Sequence, residues 1–175
     1  MIVAKLVILT ADQLKALNPL QRQAARRAAR QQPLVRLILN TFLQDGGPVP
    51  VERIIAASPD GHAEALRGAL VSLDDEDIIR VRDGQIDLAY PFATGPTSFR
   101  VRLARGRERF ACCATDALGF APMVGEPVEI ASSCHHCGEP LEIAATPHGV
   151  GPGAEGVMVW FGRRGDDGCK AFDSL

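Results

Sequence analysis

No part of this 175-residue chain stays apolar for the ~20 positions that a membrane-spanning helix requires. A helical membrane protein is therefore excluded. The opening "MIVAKLVILTADQ" is too short in its apolar part, and too soon interrupted, to read as a secretory leader with a cleavage site. No internal repeat is visible, which sets aside solenoids and propellers. Net charge is nearly absent, at −2, so the overall balance gives no argument for a nucleic-acid partner. An even set of cysteines is missing as well. The five present suit free thiols or metal ligands better than a disulfide framework. These absences together predict a cytoplasmic protein.

What is present is ordinary in bulk: 46% hydrophobic and 23% charged residues, as in soluble globular domains. The charge is unevenly spread. Before Asn40 the bases Lys5, Lys15, Arg22, Arg26, Arg27, Arg30 and Arg36 face a single acid, Asp12. A second basic run, "RVRLARGRER", spans Arg100 to Arg109. A solvated helix face and an exposed hairpin account for both. A basic arm for a nucleic acid or an acidic partner is the other reading.

The N-terminal part reads as helical. Thr10 can cap "ADQLKAL", Asn18-Pro19 breaks it, and "LQRQAARRAARQQ" is an Ala/Arg-rich helix. After Pro33, "LVRLILNTFLQDGG" places Leu34, Leu37, Ile38 and Phe42 on one stripe, ended by Gly46-Gly47. A short helix is expected over Val51 to Ala57, and a longer one from about Gly61 to Leu73 that buries Leu66, Ala69, Leu70 and Leu73. Next, "IIRVR-DG-QIDLAY" alternates on both sides of Asp83-Gly84, a strong hairpin signal. Helices followed by a hairpin give the order of a winged helix-turn-helix. The acids Asp60, Glu64, Asp74, Asp75, Glu76 and Asp77 around its second and third helices argue against phosphate contact, so no nucleic-acid partner is expected.

Beyond the Pro/Gly-rich "PFATGPT" the texture changes to strands and turns. "SFRVRLA" and "RERFACC" form a hairpin about Arg105-Gly106, and a short helix "TDALGFAPMVG" follows. Then come a strand "PVEIASS", a turn "CHHCGEP", a strand "LEIAAT" and, after "PHGVGPGAEG", a further strand "VMVWFGRR". The predicted fold is α+β: a winged-helix-like helical module with a β-hairpin over residues 1–92, then a small mixed β-sheet core domain over residues 93–175.

Two clusters carry chemistry. Cys113 and Asp116 stand at i and i+3, on one face of a helical turn. A helix N-terminus favours a thiolate, so Cys113 can be a reactive, metal-seeking sulfur. Equally, Thr115 or Asp116 can be a plain N-cap, with Cys112 and Cys113 as small buried apolar residues. "CHHCG", from Cys134 to Gly138, is a CxxC turn resembling half of a zinc knuckle. Its second half is absent, and Cys112, Cys113 or Cys169 would have to complete it from a distance. His62, His135, His136 and His148 read as loop residues.

The run "RERFACCATDALGFAPMVGEPVEIASSCHHCGEPLEI" resembles the alkylmercury (organomercurial) lyase family, over roughly Val35 to Gly149. Members carry a cysteine, two residues and an aspartate, then an apolar "FPALIG"-like run, a "VSSHC"-like strand end and a "G-x-P" turn. The resemblance implies the alkylmercury-lyase type of core and an enzyme that cleaves carbon–mercury bonds by protonolysis, in mercury detoxification. It implies that Cys113 is the first catalytic thiol, Asp116 the catalytic acid and Cys134 a structural cysteine. The family's second catalytic thiol lies near the C-terminus, where Cys169 is the candidate. Mercury would then be held by Cys113 and Cys169, with Cys112, Cys134 and Cys137 as further candidate ligands. The implied substrate is a small organomercurial and the products are a hydrocarbon and Hg(II). No cofactor is required, free thiols serve as exchange partners, and a mercuric reductase is the implied acceptor of Hg(II). Soft thiolates weakening the bond between carbon and a soft ion, beside an acid held protonated among Leu118 and Phe120, make physical sense of this. The alternatives are a non-catalytic soft-metal- or zinc-binding protein of the same fold, and a winged-helix regulator derived from it. Cys112 stands where the family often has an aromatic residue, and Cys137 and the two turn histidines are additions to its pattern.

Overall fold

The computed structural model describes residues 9, 10, 12, 13, 28, 32–58, 62–152 and 154–160. It divides into two compact units, Met1–Arg36 and Leu37–Leu175. In the first unit the Thr10 hydroxyl accepts from the Gln13 amide at 3.3 Å, and the Gln13 side chain accepts from the Thr10 amide at 3.0 Å. This is a reciprocal capping box, so Thr10 does start a helix. The remainder of the two N-terminal helices expected from the sequence lies outside the described residues.

Helix α1 (Pro33–Asp45) buries Val35, Ile38, Leu39 and Phe42. The apolar stripe is therefore rotated from the expected Leu34/Leu37 edge, because Val35 and Leu39 complete an i, i+3, i+4, i+7 set with Ile38 and Phe42. The Gly46 amide donates to the Phe42 carbonyl (3.0 Å), and Gly46 sits at φ +83°. That left-handed conformation stops the helix as a C-terminal glycine should.

Strand β1 (Val49–Pro50), helix α2 (Val51–Ala57) and helix α3 (Ala63–Asp75) follow, the helices within two residues of their expected bounds. Strands β2 (Ile79–Arg82) and β3 (Gln85–Ala89) pair with Arg82 opposite Gln85. Asp83 (φ +50°) and Gly84 (φ +71°) form the turn between them, both in the left-handed region that matches strand twist. Arg80 and Asp87 meet across this hairpin in a two-point ion pair, at 2.7 and 2.9 Å.

Six further strands are β4 (Phe92–Ala93), β5 (Arg100–Arg102), β6 (Glu108–Ala111), β7 (Val128–Ser133), β8 (Pro140–Thr146) and β9 (Gly149–Val150). Among the described residues the nine strands form one sheet, in the order β1-β3-β4-β6-β5-β7-β8-β9, with β2 on the other edge of β3. Every pairing is antiparallel. The expected mixed sheet is thus corrected to an antiparallel one. The short connections between most neighbours permit hairpins but no parallel crossover. The sheet also runs through the 92/93 position: β3 pairs with β4 (Leu88 opposite Ala93), and β4 pairs with β6 (Phe92 opposite Ala111).

One expected strand is not found. Val157–Trp160 have no strand pairing, and Val157, Met158 and Trp160 are exposed. Alternating apolar residues make a strand only where a partner edge and a core face receive them. The rest of that run lies outside the described residues, among which no helix is long and apolar enough to cross a membrane.

The core is organised by three fully buried rings. Phe92 of β4 stacks on Phe42 of α1 (centroids 6.0 Å, 28°) and meets the edge of Phe120 (4.9 Å, 78°). Phe120 opens helix α5 (Phe120–Val124), which directly follows helix α4 (Ala114–Leu118). Burying such rings is worth about 3–5 kcal/mol each against truncation to Ala, so the placement of α4 and α5 on the sheet is firm.

Candidate active site

Strand β6 leads straight into the two adjacent cysteines. Its last residue is held on both sides: the Ala111 amide donates to the Phe99 carbonyl (2.9 Å), and the Ala111 carbonyl accepts from the Thr97 hydroxyl (2.7 Å). The Cys112 amide then donates to the Pro91 carbonyl (3.1 Å), which turns its side chain into an apolar cluster with Leu88, Tyr90, Ala93 and Phe110. Cys112 is 3% exposed and behaves as a small core residue. Alternation along the extended chain sends Cys113 the other way.

Cys113 occupies the N-cap position of α4 with extended backbone (φ −152°, ψ 176°), and its carbonyl accepts from the Ala117 amide at 2.9 Å. Neither Thr115 nor Asp116 is the cap, because both already lie inside the helix. Their side chains point back to the sulfur instead. The Cys113 thiol donates to Asp116 Oδ2 at 3.1 Å, and its Sγ lies 3.0 Å from the Thr115 hydroxyl. Cys113, Thr115 and Asp116 are all half-buried. Gly119 closes this turn: its amide donates to the Thr115 and Asp116 carbonyls (3.0 and 3.1 Å), and a Cβ there would lie 3.3 Å from both oxygens.

The electrostatics correct the expectation of a ready-made thiolate. Burial, and then the charge of Asp116, push the Cys113 thiol up to about 11. A helix of five residues has too small a dipole to offset either. At rest the sulfur therefore keeps its proton and points it at a carboxylate oxygen. What the pair can do is exchange one proton between a soft sulfur and a hard oxygen when a soft ion claims the sulfur.

A sequence model of the family described as "MerB: Alkylmercury lyase" matches residues 92–175, the segment that contains this pair. From Phe92 onward the chain is similar to the alkylmercury lyase family. The alkylmercury lyase of Staphylococcus epidermidis (strain ATCC 12228 / FDA PCI 1200) is 34% identical over 94 residues, which are 54% of this chain and 41% of that protein. The chain thus matches about two fifths of the length of that curated relative. The crystal structure of the mercury-bound form of MerB2 shares the fold, with a TM-score of 0.59 over 75% of this chain and 64% of that one, at 22% identity.

The other candidate residues are placed as follows. Cys134 and Cys137 come together at the turn after β7, Cys134 half-buried and Cys137 exposed. Amides of Cys137 and His136, and the Cys137 side chain, hydrogen-bond to Cys134 and hold its thiol below the ordinary range. Among the described residues no group of three or more His, Cys, Asp or Glu is arranged to hold a metal ion. Cys169 lies outside the described residues.

Two residues escaped the sequence reading. In the sequence Thr115 reads only as a possible cap, although a hydroxyl two residues after a cysteine at a helix start can face its sulfur. Arg109 looked like one more base in a basic run. It in fact clamps the end of α1, donating to the carbonyls of Phe42 (3.0 Å), Leu43 (2.6 Å) and Gln44 (2.8 Å). Its neighbours are also engaged. Arg102 pairs with Glu129 (2.8 Å) across β5–β7 and with Glu108 (3.5 Å) across β5–β6.

Proposed function

We propose that this protein is an organomercurial lyase that breaks a carbon–mercury bond by protonolysis at Cys113 and Asp116. The observation that carries the reading is the Cys113 Sγ lying 3.1 Å from Asp116 Oδ2, to which its thiol donates. An R–Hg(II) substrate arrives as its solution-thiolate complex; the bond to the solution thiolate breaks and that thiolate departs as the Cys113 sulfur–mercury bond forms and displaces the thiol proton. The proton passes to Asp116, where it stands beside the mercury-bound carbon. A second thiolate adds electron density to mercury, and Cys169 or a solution thiol supplies it. The proton then moves to carbon, the electron pair of the C–Hg bond becomes the C–H bond, and Hg(II) remains on sulfur. No cofactor enters, and the metal is substrate and product only.

Free thiols would then exchange Hg(II) from the enzyme to an acceptor such as a mercuric reductase, in the cytoplasm. The order helix, short strand, helix, helix, hairpin over residues 33–89 supports a winged-helix-like reading of that part, with a structural rather than a DNA-binding role. The test is gas chromatography of the hydrocarbon released from an alkylmercury compound in excess thiol. Stoichiometric capture without any hydrocarbon would overturn the lyase reading in favour of a soft-metal-binding protein of the same fold, a reading to which the Cys134/Cys137 turn lends some support.

A further inference from the structure

The β7–β8 turn has no part in that reaction, yet it is closely built around sulfur. Strands β7 and β8 close on the Ser133–Pro140 pair. Inside that pair the Cys134 amide donates to the Glu139 carbonyl, and the Gly138 amide donates to the Cys134 carbonyl, both at 2.8 Å. Gly138 at φ +74° allows the reversal, in a region that side chains other than glycine's resist. The reversal places Cys134 and Cys137 within one tight CxxC loop, the ligand spacing that half of a metal knuckle uses.

Both thiols are free, and Cys137 is exposed at the turn. No third donor joins them among the described residues. A structural zinc ion wants four donors, so this chain supplies only half of such a site. A soft d¹⁰ cation such as Hg(II), which binds thiolates strongly, is served by the two sulfurs.

We propose that Cys134 and Cys137 form a two-thiol station that binds a thiophilic cation, with Hg(II) as occupant, separately from Cys113. The two-thiol site stands on the turn itself, whereas Hg(II) as its natural cargo rests on the lyase reading. The station would receive the ion after cleavage and expose it to the acceptor. Loading is ligand exchange from a bis-thiolate complex. Two bonds from mercury to solution thiols break, two bonds to Cys134 and Cys137 form, and the protein's thiol protons leave on the departing thiols. No electrons are transferred.

The test uses the full chain carrying Cys113→Ser and Cys169→Ser, given inorganic Hg(II) in excess 2-mercaptoethanol and examined by native mass spectrometry. A single retained Hg(II) per chain is expected. Adding Cys137→Ser, an exposed change that leaves the turn's backbone bonds in place, should weaken retention by roughly 10²–10⁴-fold, the gain a tethered second ligand gives. Adding Cys134→Ser as well should abolish it, with thermal melting confirming that each variant is folded. Undiminished retention after both changes overturns the proposal, as does a Cys134–Cys137 disulfide in place of the adduct. No carbon–mercury bond is present in this experiment. Its failure therefore leaves the lyase reading intact, and hydrocarbon release by the unmodified protein tests that reading independently.

Discussion

Replacing Asp116 by Asn should make Cys113 a more acidic thiol, and the size of the change follows from the site. The thiol stands about two units above its ordinary 9.0, at about 11. That displacement corresponds to ~2.7 kcal/mol and a roughly hundredfold smaller thiolate population at neutral pH. Burial is the first cause and the charge of Asp116 the second, so losing the charge recovers part of the displacement and leaves the part that burial causes. Each pH unit recovered raises the thiolate population about tenfold, but a less basic sulfur is also less nucleophilic. With a Brønsted slope near 0.4–0.5, the net gain in alkylation rate at neutral pH is roughly threefold per unit recovered. The midpoint of the pH–rate profile is therefore the cleaner readout. Iodoacetamide labelling of Cys113, followed peptide by peptide, should give a midpoint near 11 in the unmodified protein and a lower one in Asp116→Asn. A linked effect on stability has a definite sign. A folded-state pKa raised above the unfolded value gives stability that is fully present below pH 9 and is lost as the pH rises through 11. A wild-type midpoint at or below the ordinary thiol value, or one that Asp116→Asn leaves unmoved, would refute this account of the site.

Cys113→Ser should abolish both capture and cleavage of an organomercurial. Asp116→Ala should still capture it while cleaving at least ~10²–10⁴-fold more slowly, as read by adduct mass spectrometry and hydrocarbon release. Cys169→Ser should behave like Cys113→Ser if the second sulfur is supplied by the chain, and like wild type if a solution thiol supplies it, so its dependence on added thiol decides the point. Arg109→Ala leaves the last carbonyls of α1 without a partner and should lower stability by about 1–3 kcal/mol in urea unfolding, with Arg109→Lys in between. Gly47→Ala would place a Cβ 2.5 Å from Thr94 Cγ2 and 2.8 Å from Phe42 Cε1, an overpacking that should cost about 1–3 kcal/mol by the same assay.

The features legible in the sequence were those decided within a few residues. Asp83-Gly84 could only be a tight turn between alternating strands, and Gly46 could only end a helix. The approach of Cys113 to Asp116 is likewise fixed by one turn of helix. The direction in which the thiol titrates was not legible, because it depends on burial supplied by the rest of the fold. The same is true of the insertion of β6 between β4 and β5, which no local pattern encodes. The role of Arg109 was hidden by distance: its carbonyl partners lie 65 to 67 residues earlier in the chain. On α1, Leu34 and Leu37 are as apolar as Val35 and Leu39, so periodicity alone could not choose between two faces turned by one residue.

The Arg109 clamp has a bearing on how this protein can be cut and recombined. The guanidinium gripping the end of α1 belongs to the strand that leads into Cys113, four residues ahead of it, so the thiol's position is surveyed from a helix that precedes the family-matched segment. Phe92, the first residue of that segment, leans on Phe42 of the same helix. A fragment begun at residue 92 would keep every reacting group and lose the fixed point from which they are placed. Grafting the chemistry onto another scaffold would mean carrying residues 37–91 with it, as the mounting bracket travels with the instrument.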